Sequence, residues 1–584
     1  MSGISLLLNI ARGALLAQQK GIDVTGHNIS NVNTPGYTRQ KLILQSSEET
    51  PTARIKLGYG VNADSVIQYF DRFTTQNINQ KTSSLSEYEA EKSILDYVEG
   101  LFNEETENGL NKVVTDFWNA WQDLSNNPGG TAERTALLQK AQNLCQKFQM
   151  LRNDLTKTRD EMNWNLKGAI EETNALGEQI ARMNERIGEA EANGTTANDL
   201  RDQRNNLIEE LSQLTEITYL EKDNGALTVI TKSGIALVDG NLSWTLSQEG
   251  NNIYWNEIQN DISDRLTGGK MGAWLDLRDS ILPQYMANLD ELAGTMIHQI
   301  NDLHYNHGYT LGGETNKYFF NHLAFASDVV YGTWGSTSIA SAGGIYASTA
   351  PAGTFQFTVT SVAGEGKVGT DAITLGWTGP GGTSGTITLD SSYIPATLVD
   401  VAQGLQVSLG NGTVVNGNTF SIDVVPGAPC PDYSGAARDI ALSPDVENQP
   451  QNIAASRSSN PLETGNNINA LAIQALQDEP VSIKKWMLEN RGIGQSNENL
   501  FWTMDEYYNI LVGDIGMLTD AVEQNQNFHQ AMINQLNELR DSVSGVNLDE
   551  EMINMMKYQY AFIAASKMVN ASDEMLQTVL AMRP

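Results

Sequence analysis

At both extremes of the chain, apolar side chains recur at alternating steps of four and three. Ile4, Leu8, Ala11, Leu15, Gln18, Ile22, Thr25, Ile29 and Val32 form one series; Leu548, Met552, Met555, Gln559, Phe562, Ser566, Val569, Asp573, Leu576 and Leu580 form the other. This spacing is the seam of a helix that packs on another helix. Gln18 and Thr25 weaken the first seam as a self-sufficient coil, whereas Gly13 and Gly21 beside it permit close approach. Met556, Ile563 and Val579 broaden the second, which at about 1.5 Å per residue predicts a rod of roughly 50 Å. Either series alone fits an amphipathic helix on a globular domain, but neither is accompanied in sequence by the rest of a core. The two are expected to lie side by side, and because a lone helix pair buries little apolar area, stacking of copies is expected to complete them.

Between the ends the period changes several times. From about Arg72 to Leu214 the pattern is helical, and Ala169, Thr173, Leu176, Ile180, Met183, Ile187 and Ala190 lead to an Asn193-Gly194 turn with a return through Leu200, Leu207, Leu211 and Leu214. That arrangement predicts a long antiparallel helical hairpin. Residues 216–258 alternate with period two around Asn224-Gly225 and Asp239-Gly240, predicting short β-hairpins. Helical periodicity resumes near Trp274 and runs through Leu289, Leu292, Met296 and Ile300 to about His307-Gly308. From Tyr318 to Ala437 Gly, Thr, Ser and Val dominate, Lys367 is the only Lys or Arg, and TFQFTVTSV, AITLGW, GTITLD and GTVVNGNTFSIDVV read as strands. This predicts a β domain inserted between helices, with helical stripes returning from Asn460 to Leu539. The expected fold class is therefore multidomain α+β. Its parts are a terminal coiled coil (1–50 with 541–584), a helical-bundle domain (51–215 with 270–317 and 440–540), a small β insertion (216–269) and an outer β domain (318–439).

Composition narrows the function. A chain of 584 residues with 37 Lys and Arg against 70 Asp and Glu carries a formal charge of −33, which repels phosphate backbones and argues against a nucleic-acid partner. Cys145 and Cys430 are the only cysteines, so a disulfide scaffold is excluded. The first apolar run, Ile4 to Leu8, is interrupted by Ser5 and followed by Arg12. Neither a cleavable signal nor membrane insertion is expected from it.

Residues 26–40, GHNISNVNTPGYTRQ, stop the first seam. Asn28, Asn31, Asn33 and Gly36 accept left-handed backbone or bond their own main chain, Pro35 turns Thr34 away from helix, and Tyr37 and Arg39 lead into the strand-like KLILQ. This run after a Ser-Gly-Ile-Ser start resembles the amino-terminal signature of the bacterial flagellar axial proteins, the group of rod, hook and hook-associated subunits. SGVNLDEEMINMMKYQYAFIAASKMVNASDEML near the other end resembles the matching carboxy-terminal signature. DLSNNPGGTAERTALLQKAQNLCQKFQ, DLRDQRNNLIEELSQL and LDELAGTMIHQINDLHYNHGYTLGG are similar to inner segments of the hook-associated members, so the resemblance spans about 1–320 and 440–584.

The resemblance implies a structural subunit of the hook–filament junction, exported unfolded through the flagellar type III channel and located outside the cell. In that family the terminal helices form the inner coiled-coil layer of a tube, and the Asn-rich turn joins it to the next layer. The implied assembly interface is Ile4, Leu8, Ala11, Leu15, Ile22, Ile29, Val32, Leu548, Met552, Met555, Phe562, Val569, Leu576 and Leu580, with the family turn at Asn28, Asn31, Thr34, Pro35, Gly36 and Tyr37. Implied partners are further copies in a ring or tube, the hook subunit, a second junction protein, and an export chaperone on the carboxy-terminal helix. The rival readings are a secreted adhesin or effector that displays the β domain on coiled coils, and another axial subunit such as the hook protein.

Chemistry-bearing constellations are sparse. Gly364, Gly366 and Gly369 match a dinucleotide-loop spacing, but a strand rather than a helix follows them. Of His298, His304 and His307 only the last two can share a helix face, too few for a metal site. The pairs Glu171/Glu172, Glu209/Glu210 and Glu550/Glu551 are adjacent on helices and read as solvated faces, while Phe117, Trp118 and Trp121 read as core aromatics. No catalytic residue, metal or cofactor is expected.

Overall fold

The computed structural model describes residues 2–47, 60–102, 109–222, 224–256, 258–321, 329–331, 342–346, 351, 353–393, 399–402, 405–409, 412–424, 433–489, 491 and 494–581. Cys430 and the last residue of the strand run ending at 425 lie outside them. The chain opens with α1 (Ser2–Ser30), β1 (Gln40–Ser46), β2 (Val61–Gln68), α2 (Arg72–Leu101), α3 (Leu110–Asn126), α4 (Thr131–Glu191) and α5 (Asn198–Leu214). Short strands follow: β3 (Ile217–Glu221), β4 (Leu227–Thr231), β5 (Ala236–Asp239), β6 (Leu242–Ser243), β7 (Leu246–Glu249), β8 (Asn252–Trp255) and β9 (Ile258–Asp261). Then come α6 (Gly269–Asp276) and α7 (Leu282–Asp302), joined by a π-helical turn at Leu277–Ile281. The inserted domain holds β10 (Val329–Tyr331), β11 (Ala342–Tyr346), β12 (Gly353–Val362), β13 (Ile373–Thr378), β14 (Ser384–Leu389), β15 (Val399–Ala402), β16 (Leu405–Leu409) and β17 (Thr419–Val424). The chain closes with α8 (Ala436–Asp439), α9 (Ile468–Ala475), β18 (Val481–Glu489), β19 (Gly494–Trp502), α10 (Met504–Ser544) and α11 (Leu548–Ala581).

Two compact units result, one of residues 1–97, 159–279 and 517–584, the other of 98–158 and 280–516. In the first, α1 lies along α11 and carries the β1–β2 ribbon on its flank. The α4–α5 hairpin packs its Leu166, Ile170, Ile180, Ile208 and Leu211 against Val229, Leu237 and Val238 of the small sheet β3-β4-β5-β6. The predicted turns are real: Gly194, Gly225 and Gly240 all sit at positive φ, at 78°, 78° and 63°. A half-buried charge cluster fixes the hairpin to that sheet, with Arg201 donating to Glu191 at 2.7 Å and to Glu221 at 2.5 Å, and the buried Arg204 donating to the Gly225 carbonyl at 2.7 Å.

In the second unit Phe117, Trp118 and Trp121 of α3 meet Phe319 and Phe320, with Trp121 and Phe319 5.2 Å apart, so they are core aromatics. The buried Arg134 ties the SNNPGG loop down by donating to the Pro128 carbonyl at 2.9 and 2.6 Å and to the Ile453 carbonyl at 2.7 Å. His304 is fully buried: its Nδ1 donates to the Lys317 carbonyl at 2.7 Å and its Nε2 accepts the Ala454 N–H at 2.8 Å. The inserted domain is a two-sheet sandwich, β10-β17-β12-β13-β14 over β11-β16-β15, around Phe355, Phe357, Leu375, Leu405, Val407 and Phe420. Gly364, Gly366 and Gly369 form its β12–β13 loop, all at positive φ.

Two elements differ from the sequence reading. Residues 481–502 form the β18–β19 hairpin where helix was expected, because Val481 and Ile483 bury on alternate positions while Ser482 between them is exposed. β2, inside a stretch assigned to the helical domain, is a second such strand, and it completes the ribbon that KLILQ begins.

Candidate functional site

The place where the two ends meet is built by a helix stop. Asn31 N–H and Nδ2 both donate to the His27 carbonyl, at 3.1 and 3.0 Å, and Thr34 N–H donates to the Asn31 carbonyl at 2.9 Å. Gly36 reverses the chain at φ 74°, where a Cβ would stand 1.9 Å from Asn206 Oδ1. α1 therefore ends at Ser30, and Val32, placed on the seam by its spacing, sits in the turn. Thr34 and Pro35 are exposed on this turn.

Asn28 is the hub, at 1% exposure. Its Oδ1 accepts from Gln40 N–H at 3.0 Å and Tyr37 OH at 2.7 Å; its Nδ2 donates to the Gln40 carbonyl at 2.9 Å and to Glu551 Oε2 at 3.0 Å. A side-chain amide has two donors and two acceptor lone pairs, and all four are used. With its hydrogen given to Asn28, Tyr37 OH accepts from His27 Nδ1 at 3.1 Å. Arg39 donates to Glu551 from Nε at 2.9 Å and from Nη2 at 2.8 Å, and pairs with Glu550 at 2.9 Å. Its main-chain N–H donates to the Ser544 carbonyl at 2.9 Å, closing the α10–α11 connection onto the turn. On the other flank Asp202 of α5 accepts from Thr38 N–H at 3.0 Å, Thr38 Oγ1 at 2.8 Å and Gln68 Nε2 at 2.9 Å.

Burial sets the electrostatics. Desolvation pushes the Asp202 carboxyl up to about 6 despite its three donors, and Tyr37 is raised first by burial and then by Asp199, Asp202 and Glu551. Beside the network lies an open cleft of about 620 Å³, lined by residues 31–39 together with Asn205, Asn206 and the 540–547 connection.

Along the helices, the buried positions are mostly small or polar residues. α1 buries Ala11, Ala17, Gly21, Thr25 and Asn28; α11 buries Glu551, Ala565 and Ser572. A Cβ on Gly21 would stand 2.6 Å from the Tyr558 ring. The α11 contact therefore runs through 551, 558, 565 and 572, one residue before the predicted 552, 559, 566 and 573, because Gly21 leaves room for the Tyr558 ring and Ala565 and Ser572 allow close approach. Of the expected seam residues Ala11 is buried, Ile4, Leu8, Leu15, Ile22, Ile29, Met555 and Val569 are half-buried, and Leu548, Met552, Phe562, Leu576 and Leu580 are exposed. Opposite the contact, Met552, Ile553, Met556, Tyr560 and Ile563 form an exposed apolar stripe, Tyr560 at 72%.

Glu551, read from sequence as solvated, is 3% exposed and paired, a correction that follows from its place on the contact face. Thr38, Gln40 and Asp202 carry no signal in the sequence reading. For Glu551 a signal existed in the same seven-residue spacing as Tyr558, Ala565 and Ser572, hidden because none of them but Tyr558 is large. Among the described residues no group of three or more His, Cys, Asp or Glu is placed to hold a metal ion, and no helix is long and apolar enough to cross a membrane.

Three family models match in chain order: flagella basal body rod protein over residues 8–38, flagellar hook-associated protein FlgK helical domain over 95–320, and flagellar basal body rod FlgEFG protein C-terminal over 531–582. At both ends and through its helical part the chain is thus similar to the flagellar rod, hook and hook-associated axial proteins. Within that class it is similar over its whole length to proteins named flagellar hook-associated protein 1. The Salmonella typhimurium protein is 26% identical across 99% of this chain and 100% of its own, and that of Bacillus subtilis 24% identical across 99% and 98%. The fold is shared with the flagellar hook junction protein FlgK of Burkholderia pseudomallei, with a TM-score of 0.55 and 17% identity over 80% of this chain and 100% of that one.

Proposed function

We propose that this chain is a structural subunit of the bacterial flagellum at the junction between hook and filament, and that it works by packing copies of its α1–α11 pair into a closed ring or tube. The observation that carries the reading is the division of α11 into two faces. Glu551, Tyr558, Ala565 and Ser572 face α1 within the chain, and Met552, Met556, Tyr560 and Ile563 are left facing solvent. An apolar stripe of that kind is costly in an isolated molecule and fits burial between subunits. The half-buried Ile4, Leu8, Leu15 and Ile22 of α1 supply matching surface on a neighbouring copy. Neighbouring axial proteins on the hook side and the filament side cap the ring. Before export through the flagellar type III channel, a chaperone covers the same stripe of α11. The role is mechanical, and no catalytic step is assigned.

The test is Ile563→Asp. The side chain is 49% exposed, so helicity and thermal unfolding of the isolated chain should match the parent. In a strain lacking its own copy, however, filaments should fail to attach and swimming should be lost, since a charge in a packed subunit seam costs several kcal/mol. Normal swimming by this variant would refute the reading. A secreted adhesin would instead keep its surface activity in Ile563→Asp.

A further inference from the structure

The two edges of the β18–β19 hairpin are treated in opposite ways. β18 presents its outward main-chain groups to α7 and α10, whose side chains satisfy them one by one. Glu291 accepts from Lys484 N–H at 3.2 Å, Asn288 accepts from Trp486 N–H at 2.7 Å, and Gln284 accepts from Leu488 N–H at 3.0 Å. The carbonyls are taken as well, Lys484 by Tyr507 OH at 2.8 Å and Trp486 by Asn288 Nδ2 at 3.2 Å. Asn288 thus stands in for one residue of a neighbouring strand. In the antiparallel register Lys484 faces Asn499, Trp486 faces Asn497 and Leu488 faces Gln495. The main-chain groups of Gln495, Asn497, Asn499 and Phe501 therefore point away from β18. Among the described residues no side chain or strand meets them.

This free edge lacks the devices that normally blunt one. β19 reads GQSNENLFW, with no Lys, Arg or Pro and a single charge, Glu498. Phe501 stands 73% exposed at its end. Lys485, cross-strand from Glu498, is engaged by Asp514 at 2.5 Å, leaving Glu498 exposed toward whatever pairs next.

We propose that the outer edge of β19 is a strand-docking site that takes an extended segment of a different polypeptide, bearing a basic side chain opposite Glu498. Charge decides between occupants. Pairing of β19 with itself in a second copy, in the register centred on Glu498, would bring two carboxylates together in a chain already at −33, and like charges across a ladder are unfavourable. A basic strand converts the same position into attraction, while the outward amides supply affinity irrespective of side chains. The proposal is independent of how the terminal helices assemble.

The experiment uses the full chain and two short capped peptides of alternating Thr and Val, with Lys or Glu at the centre, N-methylated on alternate residues so that only one peptide edge can pair. Hydrogen exchange should show the Lys peptide protecting the Asn497 and Phe501 amides, and titration should show it binding about fivefold tighter than the Glu peptide. Glu498→Lys should reverse that preference. Asn497→Pro removes an outward N–H without touching the internal ladder, and should abolish binding while the Ile483 and Lys485 amides stay protected. The proposal fails if the Lys peptide gives no protection at those amides, if the preference survives Glu498→Lys unchanged, or if protection appears without peptide and grows with protein concentration, which would make a second copy the occupant.

Discussion

At the scale of single residues, the polar groups that matter are the buried ones, and each is specified by its partners. Asn28 must be an amide: an Asp there would turn the donors toward Glu551 and the Gln40 carbonyl into acceptors. His304 must be neutral. Its Nδ1 carries the proton that Lys317 accepts, and its Nε2 lone pair receives the Ala454 N–H, so a second proton would displace that bond inside a sealed core. Desolvation lowers its pKa from the ordinary 6.5 to about 4, the nearby Arg134 adding to the fall and Asp445 opposing it. A depressed folded-state value means that the unfolded chain takes up protons first as pH drops. The stability contribution is whole above pH 6.5 and is lost between 6.5 and about 4, amounting to about 3 kcal/mol. Urea unfolding of the second unit should therefore weaken across that window, and His304→Asn, less stable throughout, should show a shallower slope there. An unchanged slope would mean that the imidazole titrates elsewhere.

Among the elements, what could be read from sequence depended on how local the signal was. The helices from Arg72 to Leu214, the Asn193-Gly194 turn and the hairpins around Gly225 and Gly240 were legible, because period and turn residues sit together in the chain. The β18–β19 hairpin was not. Its tip carries a positive φ at Arg491, 54°, rather than the Asn-Gly pair that marks a turn, and its outer strand exposes Ser496, Asn497 and Glu498 with little alternation. The terminal seams were legible as seams but not as to which face pairs within the chain, since periodicity weighs large apolar residues and close helix contact uses small ones. That distinction can be tested at Gly21. Gly21→Val should push α1 off the Tyr558 ring and speed amide exchange in both helices, equivalent to about 1–3 kcal/mol of overpacking. Adding Tyr558→Ala should recover most of the loss. If the double variant is merely the sum of the two singles, the contact is not where the helices meet.

For the molecule as a whole, the inserted sandwich leaves and rejoins the helical part at one place. Its entry and exit are bound together: Phe320 bridges Leu442, and Asn321 N–H donates to the Ala441 carbonyl at 2.9 Å. The exit segment does more than connect. Tyr433 packs on Gly294, where a Cβ would lie 2.1 Å from its ring, and Asp290 of α7 accepts from the Gly435 and Ala437 amides at 2.8 and 3.0 Å while pairing with Arg152. An excision must therefore stop short of Tyr433. Replacing residues 325–431 by a short Gly-Ser linker should leave the helices folded, because chain entry and exit already meet and loop closure costs little. A cut that also removes 432–437 should take two amide donors from the buried Asp290 carboxylate, leaving it only Arg152, and lower stability by about 3 kcal/mol. The shorter excision is expected to support junction assembly and swimming, since the apolar surface assigned to subunit packing lies on α1 and α11. An adhesin would lose its activity with the sandwich, so swimming by a strain carrying the shorter excision separates a subunit that assembles through its ends from one that acts through its inserted domain.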